Sequence, residues 1–324
     1  MGTAIRTGRG SRIAYGIETA WGTEAARTIT GNVISVSLQT QVETVDLPHL
    51  MGTTATGRVR AESYIASEKV SGDTNMVAMY EGGCLGVLLR AALGTSVDAG
   101  AGPYTHTVTV SDAAPPAFSA ELVRGMENGA ADITEEFYGL MCTDWEFNVP
   151  AGKHAEWKAT WVGKSSGTRA AIGTVPAIDA GFPILHRHVG QLGFGGNNFT
   201  LSSLKIKGSN KLVSDLQELG SLYITEPPVG DFAEIMCEAD VVLRSQQLYT
   251  DFRAGTQGDL TVSITDGTRT LAWTLHNVKI TAYGDPIGDA GVITAKVTWK
   301  CYSGASESGV SVVLTNSKTT TLLS

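Results

Sequence analysis

Two groups of side chains in this sequence have types and spacings that could support chemistry. The first is His186-x-His188, which places two imidazoles on one face of an extended chain, where they could bind a metal. The pair follows Pro183, and no Asp, Glu or Cys lies in its immediate neighbourhood to serve as a third ligand. We therefore expect no metal here, and the residues do not favour a metal-dependent enzyme.

The second group is a cluster of carboxylates, with eight acids and a single base between positions 112 and 146. Within it, Asp144 and Glu146 alternate with Trp145 and Phe147, so on a strand the carboxylates point away from the aromatic rings. Paired carboxylates are used by glycosidases. A solvated strand face and an acidic wall that repels DNA phosphates are the other two interpretations, and the residues leave all three open.

Other catalytic signatures give no support for an enzyme. The sequence has no HExxH or GKT motif, and its GKS and GxSxG strings both fall in Gly163-Lys164-Ser165-Ser166-Gly167, a segment with the composition of a linker. The glycine-rich segment at 193–196 is expected to be a turn, because no helical pattern follows it. The cysteines are far apart, without a CxxC pair, so we expect reduced, mostly buried thiols and no zinc or iron–sulfur site; they are Cys84, Cys142, Cys237 and Cys301. We predict no catalytic residue and no cofactor, and hence a protein that is not an enzyme.

The composition favours a β-rich protein of more than one domain. The chain has 324 residues, of which 38 are glycine and 17% are charged, a balance that suits many strands and turns. The formal net charge is −8, so the chain lacks the positive footprint of a protein that grips nucleic acid. Residues 1–10 are polar and no long apolar run occurs, so we expect neither a signal peptide nor membrane insertion.

Alternation and helical periodicity define the elements that would carry these side chains. Strict alternation predicts strands at 154–162 and 292–302. Apolar residues spaced as on one helical face predict a short helix at 85–93, closed by Gly94. A second helix is predicted at 246–253, with Ser245 as its N-cap and Gly255 at its end. Residues 95–117 are rich in Gly and Pro and are predicted to form a loop.

The order of these elements recurs, which predicts an internal duplication. The segment 35–39 aligns with 203–207, and Trp161 aligns with Trp299. One long strand in each copy also changes its apolar phase at a corresponding place, as a β-bulge would cause. We predict a mainly β fold with two tandem β-sandwich or barrel-like domains, each flanked by one short helix. The predicted parts are an arm at 1–30, a first domain at 31–165, a linker at 166–190, a second domain at 191–316 and a tail at 317–324.

The order of weak motifs along the chain resembles that of siphophage tail tube (major tail) proteins. The segment Tyr15-Gly16-Ile17-Glu18-Thr19-Ala20-Trp21-Gly22-Thr23 is similar to their N-terminal G-x-E-x-x-(W/F)-G-T stretch. The later motifs follow in the same order, and they are Tyr104-Thr105-His106, Pro116-Ala117-Phe118-Ser119 and Phe137-Tyr138-Gly139. The resemblance implies two tail-tube domains in one chain, where single-domain members of the family form hexameric rings around a lumen of joined strands.

This resemblance implies a virion protein that assembles in the host cytoplasm and polymerises into stacked rings. A duplicated chain would form a homotrimeric, pseudo-hexameric ring, with a homohexamer as the alternative. The expected partners are other copies of the chain, the tape-measure protein, and DNA that passes without specific binding. Expected lumen acids are Asp144 and Glu146; expected ring-stacking residues are Trp21, Met51, Gly52, Thr53, Thr54 and Arg58. A decoration or baseplate-hub protein and a carbohydrate-binding β-sandwich remain alternatives.

Overall fold

The computed structural model describes residues 11–46, 63–124, 133–167, 170–171, 181–286, 292–302 and 309–319. The elements of the first half are β1 (Arg12–Ile17), β2 (Ile29–Val36), β3 (Gln39–Asp46), β4 (Ser63–Val77), α1 (Leu85–Leu93), β5 (Gly94–Ala99), β6 (Tyr104–Val110), β7 (Phe118–Arg124), β8 (Ile133–Val149), β9 (Glu156–Gly163), β10 (Ser165–Ser166) and β11 (Ala170–Ala171). Those of the second half are β12 (Val189–Phe194), β13 (Asn197–Phe199), β14 (Leu201–Ser209), β15 (Glu234–Val242), α2 (Gln247–Ala254), β16 (Gln257–Thr265), β17 (Thr270–Gly284), β18 (Thr294–Lys300) and β19 (Val310–Asn316). The predicted mainly β fold is confirmed.

Strands of the first half pair in a closed cycle, which we call the N-terminal barrel. The cycle runs β1, β7, β8, β9, β4, β2 and back to β1, and every pairing in it is antiparallel. β2 bridges two neighbours, because its first residues pair with β1 and its last with β4. Closure of this kind leaves these strands without exposed edges over their paired lengths.

The second half repeats this pairing order, and we call the result the C-terminal barrel. Its cycle runs β12, β16, β17, β18, β15 and β14. It closes through β13, which pairs with β12 and is separated from β14 by Thr200 alone. In each barrel the longest strand of the cycle also pairs with one or two strands that follow the cycle in the chain. β10 and β11 pair with β8, and β19 pairs with β17.

The two barrels share one continuous antiparallel sheet, which we call the joined sheet. The C-terminal part of β8 (144–149) pairs with β9 on one side and with β14 on the other. The resulting order is β3, β4, β9, β8, β14, β15, β18 and β17. The β8–β14 pair is thus the junction between the barrels.

Both long strands β8 and β17 bend at corresponding bulges, as the change of apolar phase predicts. The pairing register shifts opposite Gly139 in β8 and opposite Asn277 in β17, and both residues have a positive φ, 69° and 51°. A second shift follows in each strand, after Cys142 and after Ile280. β-Bulges tilt a strand and let it leave one neighbour for another. In β8 they carry the strand from β7 to the junction with β14.

The two predicted helices are confirmed with small changes at their ends. α1 ends at Gly94, whose φ of 104° is accessible to glycine. α2 begins one residue later than predicted: Gln246 is the N-cap residue, while the predicted cap Ser245 accepts a hydrogen bond from the Gln247 amide at 3.4 Å. α1 and α2 are the α-helices of the described residues, and neither is long and apolar enough to cross a membrane.

Aromatic side chains fill the core where the barrels meet. The Trp145 ring of β8 lies between those of Trp157 and Trp273, with centroids 5.5 Å and 5.9 Å away. Gly208 of β14 lies against it, since a Cβ there would come within 2.5 Å of the indole. Buried apolar residues of both halves form one continuous cluster through this contact. The junction is therefore part of the buried core of the chain.

Two sequence predictions differ from the structure in the first half. Residues 95–117, predicted as a loop, contain the hairpin of β5 and β6, and β6 pairs along its length with β19. The alternating Thr and Val of β6 suit a strand, but the flanking Gly and Pro mask that pattern. Residues 12–17, which lie within the predicted arm at 1–30, form β1 between β2 and β7. Ile13 and Tyr15 are fully buried there.

A buried carboxylate ties the two halves together away from the junction. Glu81, between β4 and α1, accepts a hydrogen bond from the Arg269 guanidinium at 2.8 Å and from the Ser317 amide at 2.8 Å. Arg269 also lies over the Phe182 ring, 3.5 Å from its centroid. Residues of the linker predicted at 166–190 contribute here, because the Phe182 carbonyl accepts from the Tyr80 amide. We call Glu81, Arg269 and Ser317 the carboxylate clamp.

Candidate functional site: the polar face of the joined sheet

The joined sheet has one apolar face and one polar face. Along β15 and β18 every second residue is buried, and the residues between them reach solvent. α1 belongs to the buried core, and Phe252 of α2 stacks on Tyr283, so both helices pack on the apolar side. Antiparallel sheets with one wet face show this alternation. The opposite face, which we call the polar face, is formed by side chains of the strands themselves.

The polar face carries charges of both signs. Its carboxylates include Asp73, Asp144, Glu146, Glu156, Glu234, Glu238 and Asp240, and its lysines include Lys69, Lys158, Lys205, Lys207, Lys296 and Lys300. The acidic wall considered from the sequence is therefore only half of the arrangement. A surface with mixed charges attracts phosphates less strongly than a lysine-lined groove does.

Ion pairs organise these charges along and across the strands. The Lys158 ammonium lies 3.1 Å from the Asp73 carboxylate. Burial alone would raise the pKa of Asp73, but the Thr160 hydroxyl and the Lys158 ammonium outweigh burial and lower that pKa. Glu234 accepts hydrogen bonds from Lys300 at 2.6 Å and from Lys211, which lower its pKa.

The two predicted lumen acids lie at the junction on this face. The Glu146 carboxylate of β8 is 3.2 Å from the Lys205 ammonium of β14, so this pair spans the two barrels. Asp144 is exposed, and no ion pair joins it to another residue in the described ranges. A cleft of about 250 Å³ is lined by Asp144, Lys207 and Glu234, among other residues. The polar face therefore combines ion-paired side chains with the unpaired carboxylate of Asp144 at its centre.

Two other carboxylates of the predicted acidic cluster, Glu121 and Glu135, do not share this surface. Glu135 is nearly buried and pairs with the Arg124 guanidinium at 2.7 Å. Glu121 is buried in β7. Both side chains belong to the N-terminal barrel. Carboxylates that are close together in the sequence therefore do not all lie on one face of the structure.

Comparison with known proteins gives the family of this chain. A family model described as phage tail tube protein matches residues 8–301. The chain belongs to the phage tail tube protein family. A search of curated proteins found no match. The family gives this tail tube protein a structural role, self-assembly into a tube and a place in the virion tail.

In the tail tube protein, the residues predicted to stack rings are only partly described. Met51, Gly52, Thr53, Thr54 and Arg58 lie outside the described residues. Trp21 is described and is held by its own chain. Its indole Nε1 donates a hydrogen bond to the Gly139 carbonyl at 3.0 Å, and the Lys164 ammonium lies 5.2 Å from the ring centroid.

A second long segment of the tail tube protein exposes apolar side chains that the sequence analysis did not single out. Residues 211–233 lie in the connection from β14 to β15, just as 47–62 lie in the connection from β3 to β4. Leu219 is fully exposed, and Phe232 is 92% exposed. The segment is anchored to the N-terminal barrel, because the Glu68 amide donates to the Leu222 carbonyl at 2.9 Å. In the repeat, β14 and β15 correspond to β3 and β4. The segment between β14 and β15 is therefore the counterpart of the predicted stacking loop.

The histidine pair and the cysteines show no arrangement for catalysis. His186 and His188 lie on a 3-10 turn, and no cluster of three or more possible metal ligands occurs in the described ranges. Burial lowers the pKa of His188. All four thiols are free, and burial raises the pKa of Cys301 to about 12. Thiols with a raised pKa are poor nucleophiles and poor metal ligands at neutral pH.

Proposed function

We propose that three copies of this tail tube protein form a ring of six barrels, and that such rings stack into the tail tube. In this arrangement the polar face of the joined sheet lines the lumen, through which DNA and the tape-measure protein pass during ejection. The ring assembles in the host cytoplasm and functions in the virion. A homohexamer of the chain, with twelve barrels in each ring, is the alternative stoichiometry.

The joined sheet is the observation that carries this proposal. Within one chain, two barrels with the same pairing order already join through β8 and β14. We infer that the chain is a tandem duplication of one tube domain, with 31–165 and 191–316 as its main parts. Repeating the β8–β14 type of junction around an axis would extend the sheet until it closes. Closure would leave this sheet without an exposed edge.

The chemistry of the polar face supports its placement in the lumen. A conduit for DNA must not bind phosphates tightly, and the lysines of this face are matched by carboxylates, as at Lys205 and Glu146. Asp144 adds unpaired negative charge at the junction. At physiological salt this charge acts over about 8 Å, the Debye length. We propose Asp144 and Glu146 as lumen-facing acids on this basis.

Exposed apolar side chains support axial stacking. Leu219 and Phe232 lie in the 211–233 segment, where they contribute apolar surface that a monomer leaves in water. We propose that this segment and residues 47–62 contact the adjacent ring. The N-terminal residues 1–10 and Trp21 would contribute to the same contact.

Negative-stain electron microscopy of the purified chain at rising concentration tests the proposal. We expect rings or tubes with a central hole and three-fold or six-fold end views. The double variant Leu219→Ser with Phe232→Ser should form rings that fail to lengthen, while the matched variant Thr268→Ala, on an exposed turn, should lengthen normally. Monomers at every concentration would contradict the proposal and favour a decoration protein.

A further inference from the structure

Two strand edges at the ends of the joined sheet have no partner within the described part of the chain. β3 pairs with β4 on one side only, and residues 281–284 of β17 pair with β18 on one side only. Strand edges of this kind present N–H and C=O groups to solvent. They lie at opposite ends of the sheet order that runs from β3 to β17, so one chain has one edge of each kind.

The free edge of β17 corresponds to the part of β8 that forms the internal junction. In both strands a register shift precedes this part, after Cys142 in β8 and after Ile280 in β17. Cys142 lies opposite Trp161, and Ile280 lies opposite Trp299, the two tryptophans that align in the repeat. Two positions further on, Ala282 therefore corresponds to Asp144. Tyr283 likewise corresponds to Trp145.

The free edge of β3 corresponds to β14, the other strand of the internal junction. Gln39 pairs with Ser71, and Lys207 pairs with Met236. Ser71 and Met236 occupy the same place, because each lies opposite the residue that follows the aligned tryptophan. Gln39 therefore corresponds to Lys207, and Gln41 corresponds to Ser209.

We propose that the free edge of β17 in one copy pairs with the free edge of β3 in the next copy, in the register that β8 and β14 use inside the chain. This inference rests on the proposed ring and names its chain-to-chain contact. Inside the chain, Ser209 lies opposite Asp144, and Lys207 lies opposite Glu146. Between copies, the same register places Gln41 opposite Ala282, Thr40 opposite Tyr283 and Gln39 opposite Gly284.

The side chains at these two edges suit such a pairing. None of the six residues is charged, so no like charges would face each other across the strands. Thr40 and Tyr283 form the β-branched and aromatic combination that stabilises antiparallel neighbours. Trp145, at the internal junction, is 3% exposed, whereas its counterpart Tyr283 remains half-buried in the single chain. The next copy would cover Tyr283 as β14 covers Trp145.

The geometry of the two edges also favours a closed ring. Each junction joins two different surfaces, so the contact is heterologous and repeats in one direction around an axis. A pairing of β3 with β3 would instead give a two-fold dimer and stop. The internal junction thus serves as the template for the external one. In a trimer, three internal and three external junctions would alternate.

Disulfide trapping in the full-length chain tests the register. We would introduce Gln41→Cys with Ala282→Cys in a Cys301→Ser background, since the other thiols are buried. Directly opposed residues of antiparallel strands have Cα atoms about 4.5 to 5.5 Å apart, within reach of a disulfide. The control pair is Thr40→Cys with Ala282→Cys, which differs by one residue and places the thiols on opposite faces of the sheet. Gln39→Cys with Gly284→Cys provides a second test of the same register.

We expect oxidation of assembled rings to link the Gln41/Ala282 pair into covalent trimers on non-reducing gels, and the control pair to stay monomeric. Mixed chains that carry one cysteine each should give dimers only. Rings or tubes that form normally but do not link at either matched pair would overturn the inference and leave the proposed function standing. Linking through Gln41→Cys alone would also overturn it, in favour of a two-fold contact. If microscopy shows no assembly of the native chain, the proposed function fails and the inference fails with it.

Discussion

The carboxylate clamp offers a quantitative prediction about how the two halves of the chain are held together. Glu81 has a 6% exposed side chain and accepts hydrogen bonds from the Arg269 guanidinium and from the amide and hydroxyl of Ser317. A hydrogen bond that involves a charged group contributes about 1.5 to 3 kcal/mol. Glu81→Gln keeps the shape and removes the charge. We expect this change to lower the free energy of unfolding by about 2 kcal/mol at pH 7.

The same clamp predicts a dependence on pH. Burial would raise the pKa of Glu81, but the Ser317 amide and the Arg269 guanidinium outweigh burial and lower this pKa below its ordinary value of 4.5. A carboxylate with a lowered pKa stabilises the fold above its unfolded pKa, and this contribution is lost as the pH falls through the folded value. The stability difference between the native chain and Glu81→Gln should therefore be full at pH 7 and shrink below about pH 4.5.

Urea denaturation of both chains at pH 7 and at pH 3.5 to 4 measures this difference. The matched control is Glu43→Gln, because Glu43 is exposed and accepts one hydrogen bond from Ser67. This control should change stability by less than about 0.5 kcal/mol. A Glu81→Gln effect as small as that of the control, or one that is the same at both pH values, would show that the Glu81 charge does not stabilise the contact between the two halves.

Three further predictions concern the core, a bulge and the polar face. Trp145→Ala should lower the free energy of unfolding by about 3 to 5 kcal/mol in thermal denaturation, because the ring fills the core between the barrels. Gly139→Ala should cost about 1 kcal/mol or more, since its φ is 69° and a Cβ would lie 2.9 Å from the Trp21 indole nitrogen, whereas Asn277→Gly should be tolerated. Asp144→Lys should leave tube assembly intact and slow DNA ejection from virions; unchanged ejection would remove Asp144 from the lumen.

Local patterns predicted most of the secondary structure, because the apolar residues of each element recur with a single spacing. The alternation at 154–162 corresponds to β9, and the helical spacing at 85–93 corresponds to α1. The phase change in the long strands corresponds to bulges at Gly139 and Asn277. These features depend on neighbouring residues, and a sequence shows neighbours directly.

Long-range pairing was beyond the sequence, because it depends on residues more than a hundred positions apart. β6 was missed as a strand, and its partner β19 lies at the other end of the chain. β1 was assigned to an arm because its surroundings are rich in glycine, although β2 and β7 enclose it. Strand registers of this kind follow from the closed pairing order rather than from local propensity.

The sequence predicted which side of β8 carries Asp144 and Glu146, but not the charges that lie beside them. Asp144 and Glu146 lie on the solvent side of β8, as alternation with Trp145 indicates. Lys205, which pairs with Glu146, is 59 residues later and belongs to the other barrel. The run of acids in the sequence predicts a negatively charged surface. In the folded chain, lysines of β14 lie on the same surface, and Lys205 pairs with one of these acids.

A three-dimensional reconstruction of assembled tubes by electron cryo-microscopy would show directly how the joined sheets of neighbouring chains are arranged. We expect three chains in each ring, with the joined sheets closed into one barrel and the polar face, including Asp144 and Lys205, turned toward the lumen. A tube in which this face lies on the outer surface, or in which the sheets of neighbouring chains do not join, would contradict this arrangement.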